Sequence, residues 1–376
     1  MLSQVPRLLE VNLSHNMIHS IDMPLKPGED NVLFSKHLVN LKVIDLSSNR
    51  LTVFPHIAAV RTNLKYLNVS RNNFIELAHE PENPCLKPTD QALEILDMSL
   101  NSLKSVRFFE RRRSLYGKTK HVDLSHNRID LEECIEDMDE ARLVWGCLSP
   151  LSWLTALEVI ILSHNQIACI PMEFQHYLPN LRYVDLSHNK IKQIWHGDLL
   201  FTRARDTKDI DLFQDKWNPC TVKNEFPGSN NLTIDLRNNS ISSLQLPDDK
   251  VRVVLPGCDI GSQFSRVKLL LGHNPFVCDC EVFKLLRYST MEMRPTSALE
   301  RHNGHMLVLP AVIDIQDLHC SEPDSMNGKA IADVSSWAYH WLPMIGLCWN
   351  HLGVQSELRK TSTKPTKVEA MDEPPT

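Results

Sequence analysis

Apolar residues recur along this chain at fixed offsets that follow the template L-x-x-L-x-L-x-x-N-x-L. Leu8, Val11, Leu13, Asn16 and Ile18 set it first; Leu41, Ile44, Leu46, Asn49 and Leu51 repeat it. Leu64–Leu67–Val69–Asn72–Phe74 and Leu93–Leu96–Met98–Asn101–Leu103 follow. Val122, Leu124, Asn127 and Ile129 fit with Thr119 in the first slot. Leu157–Ile160–Leu162–Asn165–Ile167 and Leu181–Val184–Leu186–Asn189–Ile191 fit throughout. Ile234, Leu236, Asn239 and Ile241 come next, with Asn231 in the first slot, and Leu269, Leu271, Asn274 and Phe276 close the series. The period-two segment predicts a short strand whose leucines point inward. Each repeat then adds one strand to a parallel sheet, and no repeat can bury its apolar face without neighbours. The Asn side chain both donates and accepts, so stacked repeats predict a buried asparagine ladder.

The Asn-to-Asn intervals are 33, 23, 29, 26, 38, 24, 50 and 35. Splitting the interval of 50 at Ile210, Leu212, Asp215 and Trp217 gives ten repeats, with Asp215 in the Asn slot. The expected fold class is α/β: a leucine-rich-repeat solenoid with a curved parallel sheet on its inner face and a disulfide cap at its C-terminal end. The expected domains are repeats over 1–273, a cap over 274–334 and an unrelated, disordered tail over 335–376. Insertions fall outside the sheet. Arg111–His121 carries five Lys/Arg and Asp130–Glu140 carries seven acids; they read as solvated loops, as a cross-repeat charge contact, or, at Arg111–Arg113, as a protease-sensitive tribasic site.

Composition narrows the function. Net charge is −6, which argues against nucleic acid as the main partner. No G-x-S-x-G, G-x-x-x-x-G-K-[ST], H-E-x-x-H or G-x-G-x-x-G occurs, so no enzyme and no cofactor is expected. The chain has 10 cysteines, and Cys278, Cys280 and Cys320 cluster beside the last repeat. Met1 is followed at once by a repeat, and the late apolar stretch Trp337–Trp349 is interrupted by His340 and Pro343. Neither a signal peptide nor a membrane span is read there, and a fragment or truncated product is the expectation.

The stretch NPFVCDC at Asn274–Cys280 with LxCSxPxxxxG at Leu318–Gly328 resembles the C-terminal cysteine cap of extracellular leucine-rich-repeat proteins. With the LSHN and LSSN wording and irregular repeat lengths, residues 1–334 resemble Toll and Toll-like receptor ectodomains. That resemblance implies a Cys278–Cys320 bridge, with Cys280 left for Cys348, and a helix bearing Phe283, Leu285 and Leu286 laid over the last repeat. It further implies an extracellular or cell-surface site, a protein ligand (a cystine-knot cytokine of the Spätzle type), receptor dimerisation and signalling through a TIR domain that this chain lacks. A leucine-rich-repeat adhesion or matrix protein and an intracellular repeat scaffold are the alternatives.

The inner-face slots supply candidate contacts. One reads Asp45, Asp97, Asp123, Asp185, Asp211 and Asp235, with Asn12 and Asn68 in other repeats; it either favours a basic partner or is solvated repeat wording. The slot before the ladder Asn reads His15, His126, His164, His188 and His273. His126, His164 and His188 fall on successive strands, where imidazoles can bind a metal, sense pH or form a plain polar ladder. No convergent metal-ligand spacing is read, so no metal is expected. Asn12, Asn68, Asn231 and Asn238 begin N-x-[ST] sequons, candidates for glycosylation.

Overall fold

In the computed structural model, residues 7–21, 38–54, 63–77, 93–111, 116–131, 150–171, 178, 180–194, 232–244, 267–279, 282, 311–315 and 317–332 are described. Each repeat contributes a three- or four-residue strand: β1 (Glu10–Asn12), β2 (Val43–Asp45), β3 (Tyr66–Asn68), β4 (Ile95–Asp97), β5 (His121–Asp123), β6 (Val159–Ile161) and β7 (Tyr183–Asp185). After the two-residue β8 (Gln193–Ile194) come β9 (Leu232–Asp235), β10 (Ser243–Leu244), β11 (Val267–Leu270), β12 (Phe276–Val277), β13 (Ala311–Asp314) and β14 (Cys320–Glu322). Ten of them form one parallel sheet in the order β1-β2-β3-β4-β5-β6-β7-β9-β11-β13. The described returning segments hold one α-helix, Phe108–Arg111, and a 3-10 turn at Pro150–Trp153.

The alternation sets which side is core. In β2, Ile44 is fully buried while Val43 and Asp45 are half-buried, and the same pattern recurs in β3, β5, β6 and β7. The second leucine of the template follows the strand and is equally buried, as Leu46, Val69, Met98, Leu124, Leu162 and Leu186. Burying one such side chain contributes roughly 1.5–3 kcal/mol relative to exposure. Thr119, in a leucine slot, is fully buried, and its hydroxyl has no hydrogen-bond partner among the described residues.

The asparagine ladder takes the expected form. Asn165 Nδ2 donates to Leu162 O of its own repeat at 3.0 Å and to Leu124 O of the repeat before at 2.9 Å. Its Oδ1 accepts from the Ile129 amide at 3.0 Å. The same two cross-repeat bonds are made by Asn49, Asn72, Asn101, Asn127, Asn189, Asn239 and Asn274.

Two sequence expectations change. First, β7 pairs directly with β9, with Asp185 opposite Asp235, and Asn239 reaches straight to Leu186 O at 2.9 Å. The interval of 50 therefore spans one step of the ladder, with β7 and β9 immediate neighbours in the sheet. Ile210, Asp211, Leu212, Asp215 and Trp217 are outside the described residues. Second, the cap closes the sheet with a strand. β13 pairs in register with β11, Leu269 opposite Ile313, and supplies the tenth strand. Phe283, Leu285 and Leu286 are outside the described residues, as are Cys280, Cys348 and the tail from 335 to 376.

The bridge implied by the resemblance is present: Cys278 and Cys320 form a disulfide, with Cα atoms 5.5 Å apart. Both are buried beside Phe276, Leu318, Met326 and Ile331, and β12 pairs with β14 next to it. Gly272 stands where earlier repeats carry Ser47, Ser70 or Ser99. A Cβ there would lie 2.8 Å from Asp317 Cβ, so glycine permits the cap to close against the last repeat.

Candidate functional site: the inner face and its rim

The residues flanking each buried strand position share the face opposite the core, and the parallel register lines them up in rows. The first row reads Val43, Tyr66, Ile95, His121, Val159 and Tyr183 across β2 to β7. It is a partly exposed apolar and aromatic stripe. On one side run the residues preceding each strand, Lys42, Lys65, Glu94, Lys120, Glu158 and Arg182. These charges are partly paired: Lys65 Nζ lies 2.8 Å from Glu94 Oε1, and Lys120 Nζ 3.9 Å from Glu158 Oε1. The sequence reading passed over the stripe. Its signal was available as the other outward slot of the same strand.

On the other side runs the aspartate row. Asp45, Asp97, Asp123 and Asp185 are half-buried, and each Oδ1 accepts from the amide two residues on, at 2.9 Å. Asn12 and Asn68 make the same bond to Ser14 and Ser70. The turn needs an oxygen rather than a charge, which explains why asparagine stands in for aspartate. The carboxylates therefore hold the strand ends while still lining the face. Burial raises the Asp97 carboxyl above the usual range, opposed by the Ser99 hydrogen bonds and assisted by Asp123. Tyr183 is pushed up to about 12, by burial first and then by Asp185 and Asp235; Tyr66 is raised by burial and then by Asp97 and Asp45. Both phenols stay neutral, and the Tyr183 hydroxyl donates to Asp235 Oδ2 at 3.4 Å.

Asp235 departs from the row. Its side chain is 3% exposed, and the Arg237 guanidinium covers it, Nη2 to Oδ2 at 2.6 Å and Nε to Oδ1 at 3.0 Å. This candidate contact is an internal ion pair and does not face a partner. Asp211 lies outside the described residues.

Beyond the aspartates, the slot before each ladder asparagine has left-handed backbone. His15, His126, His164, His188 and His273 have φ between 54° and 60°, and Ser48, Arg71, Leu100 and Asn238 share the conformation. The repeated dihedral aims these side chains alike, and three imidazoles stack. The His126 and His164 rings lie 4.0 Å apart at 10°, and those of His164 and His188 4.1 Å apart at 9°. All three residues are exposed. Among the described residues, no group of three or more His, Cys, Asp or Glu is arranged to hold a metal ion. Of the sequons, Asn12 and Asn68 lie on the inner face, Asn238 is exposed on the histidine rim, and Asn231 is outside the described residues. Among the described residues no helix is long and apolar enough to cross a membrane.

Parallel register, asparagine ladder and bridged cap together define a leucine-rich-repeat solenoid. A family model described as "Leucine Rich repeats (2 copies)" matches residues 155–199, and one described as "Leucine Rich Repeat" matches 40–59. Within that class the chain is similar to Toll-family ectodomains. It is 24% identical over 217 residues to Protein toll of Drosophila melanogaster, covering 57% of this chain and 16% of that protein. It is 26% identical over 267 residues to Chaoptin of the same organism, covering 66% of this chain and 18% of that protein. The chain thus spans under a fifth of either relative. A solved structure of the glycosylated Toll–Spatzle complex shares the fold at a TM-score of 0.51 and 23% identity, covering 81% of this chain and 34% of that chain.

Proposed function

We propose that this chain is a segment of a Toll-like receptor ectodomain that recognises a protein ligand through the inner face of its solenoid. The observation that carries the reading is the unbroken row Val43, Tyr66, Ile95, His121, Val159 and Tyr183, bordered by Asp45, Asp97, Asp123 and Asp185 on register-locked strands. A rigid aromatic stripe edged by carboxylates suits a protein surface with an apolar centre and a basic border. The similarity to Toll supports a cystine-knot cytokine of the Spätzle type as ligand, with receptor dimerisation to follow. The buried Cys278–Cys320 bridge supports an oxidising, extracellular setting, and Asn12, Asn68, Asn231 and Asn238 are its candidate glycan sites.

Surface plasmon resonance of the secreted chain against such a cytokine tests the proposal. Specific binding that weakens at least roughly tenfold in Asp123→Lys, a loss of about 1.4 kcal/mol, supports it. The similarity to Chaoptin favours a second reading, an adhesion module. Self-association of the secreted chain with no cytokine binding would select that reading.

A further inference from the structure

The three stacked histidines are exposed and unused by the fold, and they lie one slot beyond the aspartate row. Rings 4.0 and 4.1 Å apart present a continuous imidazole edge about 8 Å long, from His126 to His188. Two residues further along each repeat, Arg128 and Lys190 are exposed on the same rim, with Gln166 between them. Lys190 Nζ donates to Gln166 Oε1 at 3.2 Å, which ties this row across repeats. The ladder pins the spacing, because Gln166 N donates to Ile129 O at 2.8 Å and Lys190 N to Ile167 O at 2.9 Å.

We propose that His126, His164 and His188, with Arg128 and Lys190, form a docking strip for a carboxylate-rich protein segment that engages under mildly acidic conditions. The proposal rests on the reading of the solenoid as a protein-recognition surface and adds the chemistry and regulation of its rim. Alternate side chains of an extended segment point the same way at about 6.6 Å intervals. Two carboxylates at such positions match the span of the stack. As pH falls, protonation of neighbouring rings brings like charges together, and a carboxylate at the ring edge relieves that repulsion. Protonation and ligand capture therefore favour each other.

The charges around the stack are mixed. Asp123 and Asp185 lie on the strands beside it, with one oxygen of each held by the Ser125 and Ser187 amides. β6 contributes Ile161 at the corresponding position and no charge. On the far repeat, Arg237 is drawn onto Asp235, and the slot continues as uncharged Asn238. Burial and the two flanking rings hold His164 below the usual imidazole value, with Asp185 opposing them. The stack is about 8 Å long, which fits a short acidic protein segment rather than an extended polyanion.

The test uses a fluorescein-labelled Glu-Val-Glu-Val-Glu peptide and its glutamine counterpart, read by fluorescence anisotropy on the secreted chain. Wild type should bind the glutamate peptide roughly tenfold tighter at about pH 5.5 than at about pH 7.5. The double substitution His126→Gln, His188→Gln should abolish that gain, with its melting temperature checked at both pH values. Binding without pH dependence, an equal gain in the double variant, or equal binding of the glutamine peptide overturns the proposal. Cytokine binding by wild type near neutral pH, measured in parallel, reports on the recognition reading by itself. An acid gain without cytokine binding would leave the strip standing and remove that reading.

Discussion

Replacing Asn165 by alanine removes one rung from the middle of the ladder. The Ile129 amide, buried between repeats, loses the Oδ1 it reaches at 3.0 Å. Leu124 O and Leu162 O each lose one of two donors, keeping Asn127 Nδ2 and Asn189 Nδ2, both at 3.0 Å. An orphaned buried amide costs about 1–3 kcal/mol and each weakened carbonyl about 0.5–1.5 kcal/mol. The expected loss is therefore roughly 2–6 kcal/mol. Asn16 is the internal control: it is exposed and bonds only within its own repeat, to Leu13 O and Ser14 O at 3.0 Å. Asn16→Ala should cost under about 1 kcal/mol. Urea denaturation gives the two stabilities, and hydrogen exchange should show the Ile129 amide accelerating in Asn165→Ala. Equal costs for the two variants, or an unchanged Ile129 amide, would refute the ladder as the element coupling the repeats.

Gly272→Ala places a Cβ 2.8 Å from Asp317 Cβ, so the cap must shift; calorimetry should show a loss of about 1–3 kcal/mol. Leu100 holds left-handed backbone at φ 54° while 39% exposed, so Leu100→Asn should raise stability by about 1 kcal/mol in the same assay. Cys278→Ser opens a bridge spanning 42 residues and should lower stability by about 2–4 kcal/mol, an effect reductant reproduces in wild type and not in the variant. Because His164 is depressed below 6.5 in the folded chain, the unfolded chain binds more protons as pH drops below that value. Stability present above pH 6.5 is lost as pH falls through the folded value, and melts of His164→Gln should show less of this acid loss.

The sheet was legible in the sequence because each strand carries an alternation that only neighbouring repeats can bury, and each Asn marks its own rung. The failures occur where that marker is missing or mimicked. β13 escaped notice because Leu318 stands at the ladder position, four residues past Asp314, and is fully buried there. Its strand also pairs through Lys268 and Asp314, whose ion pair at 2.8 Å the repeat template does not encode. Ile210, Leu212 and Trp217 mimic the template without its Asn, and the direct pairing of β7 with β9 leaves that segment no place in the sheet between them. The aspartate row lines the face opposite the core, and its turn-holding role emerges only from three-dimensional geometry. The fate of Asp235 depends on Arg237, two residues on, which alone among the described repeats puts a guanidinium in a slot filled elsewhere by serine or, at Gly272, by glycine. The histidine register was readable, but stacking required the left-handed backbone that repeats at each rim position.

The most direct test of the central claim is a hydrogen-exchange footprint of the purified chain with and without a Spätzle-type cytokine. Recognition by the inner face predicts added protection concentrated in peptides spanning β3 to β7, including Tyr66, Ile95, Asp123 and Tyr183. Protection confined to the returning segments, such as the one carrying Phe108–Arg111, or no change across the sheet, would contradict it.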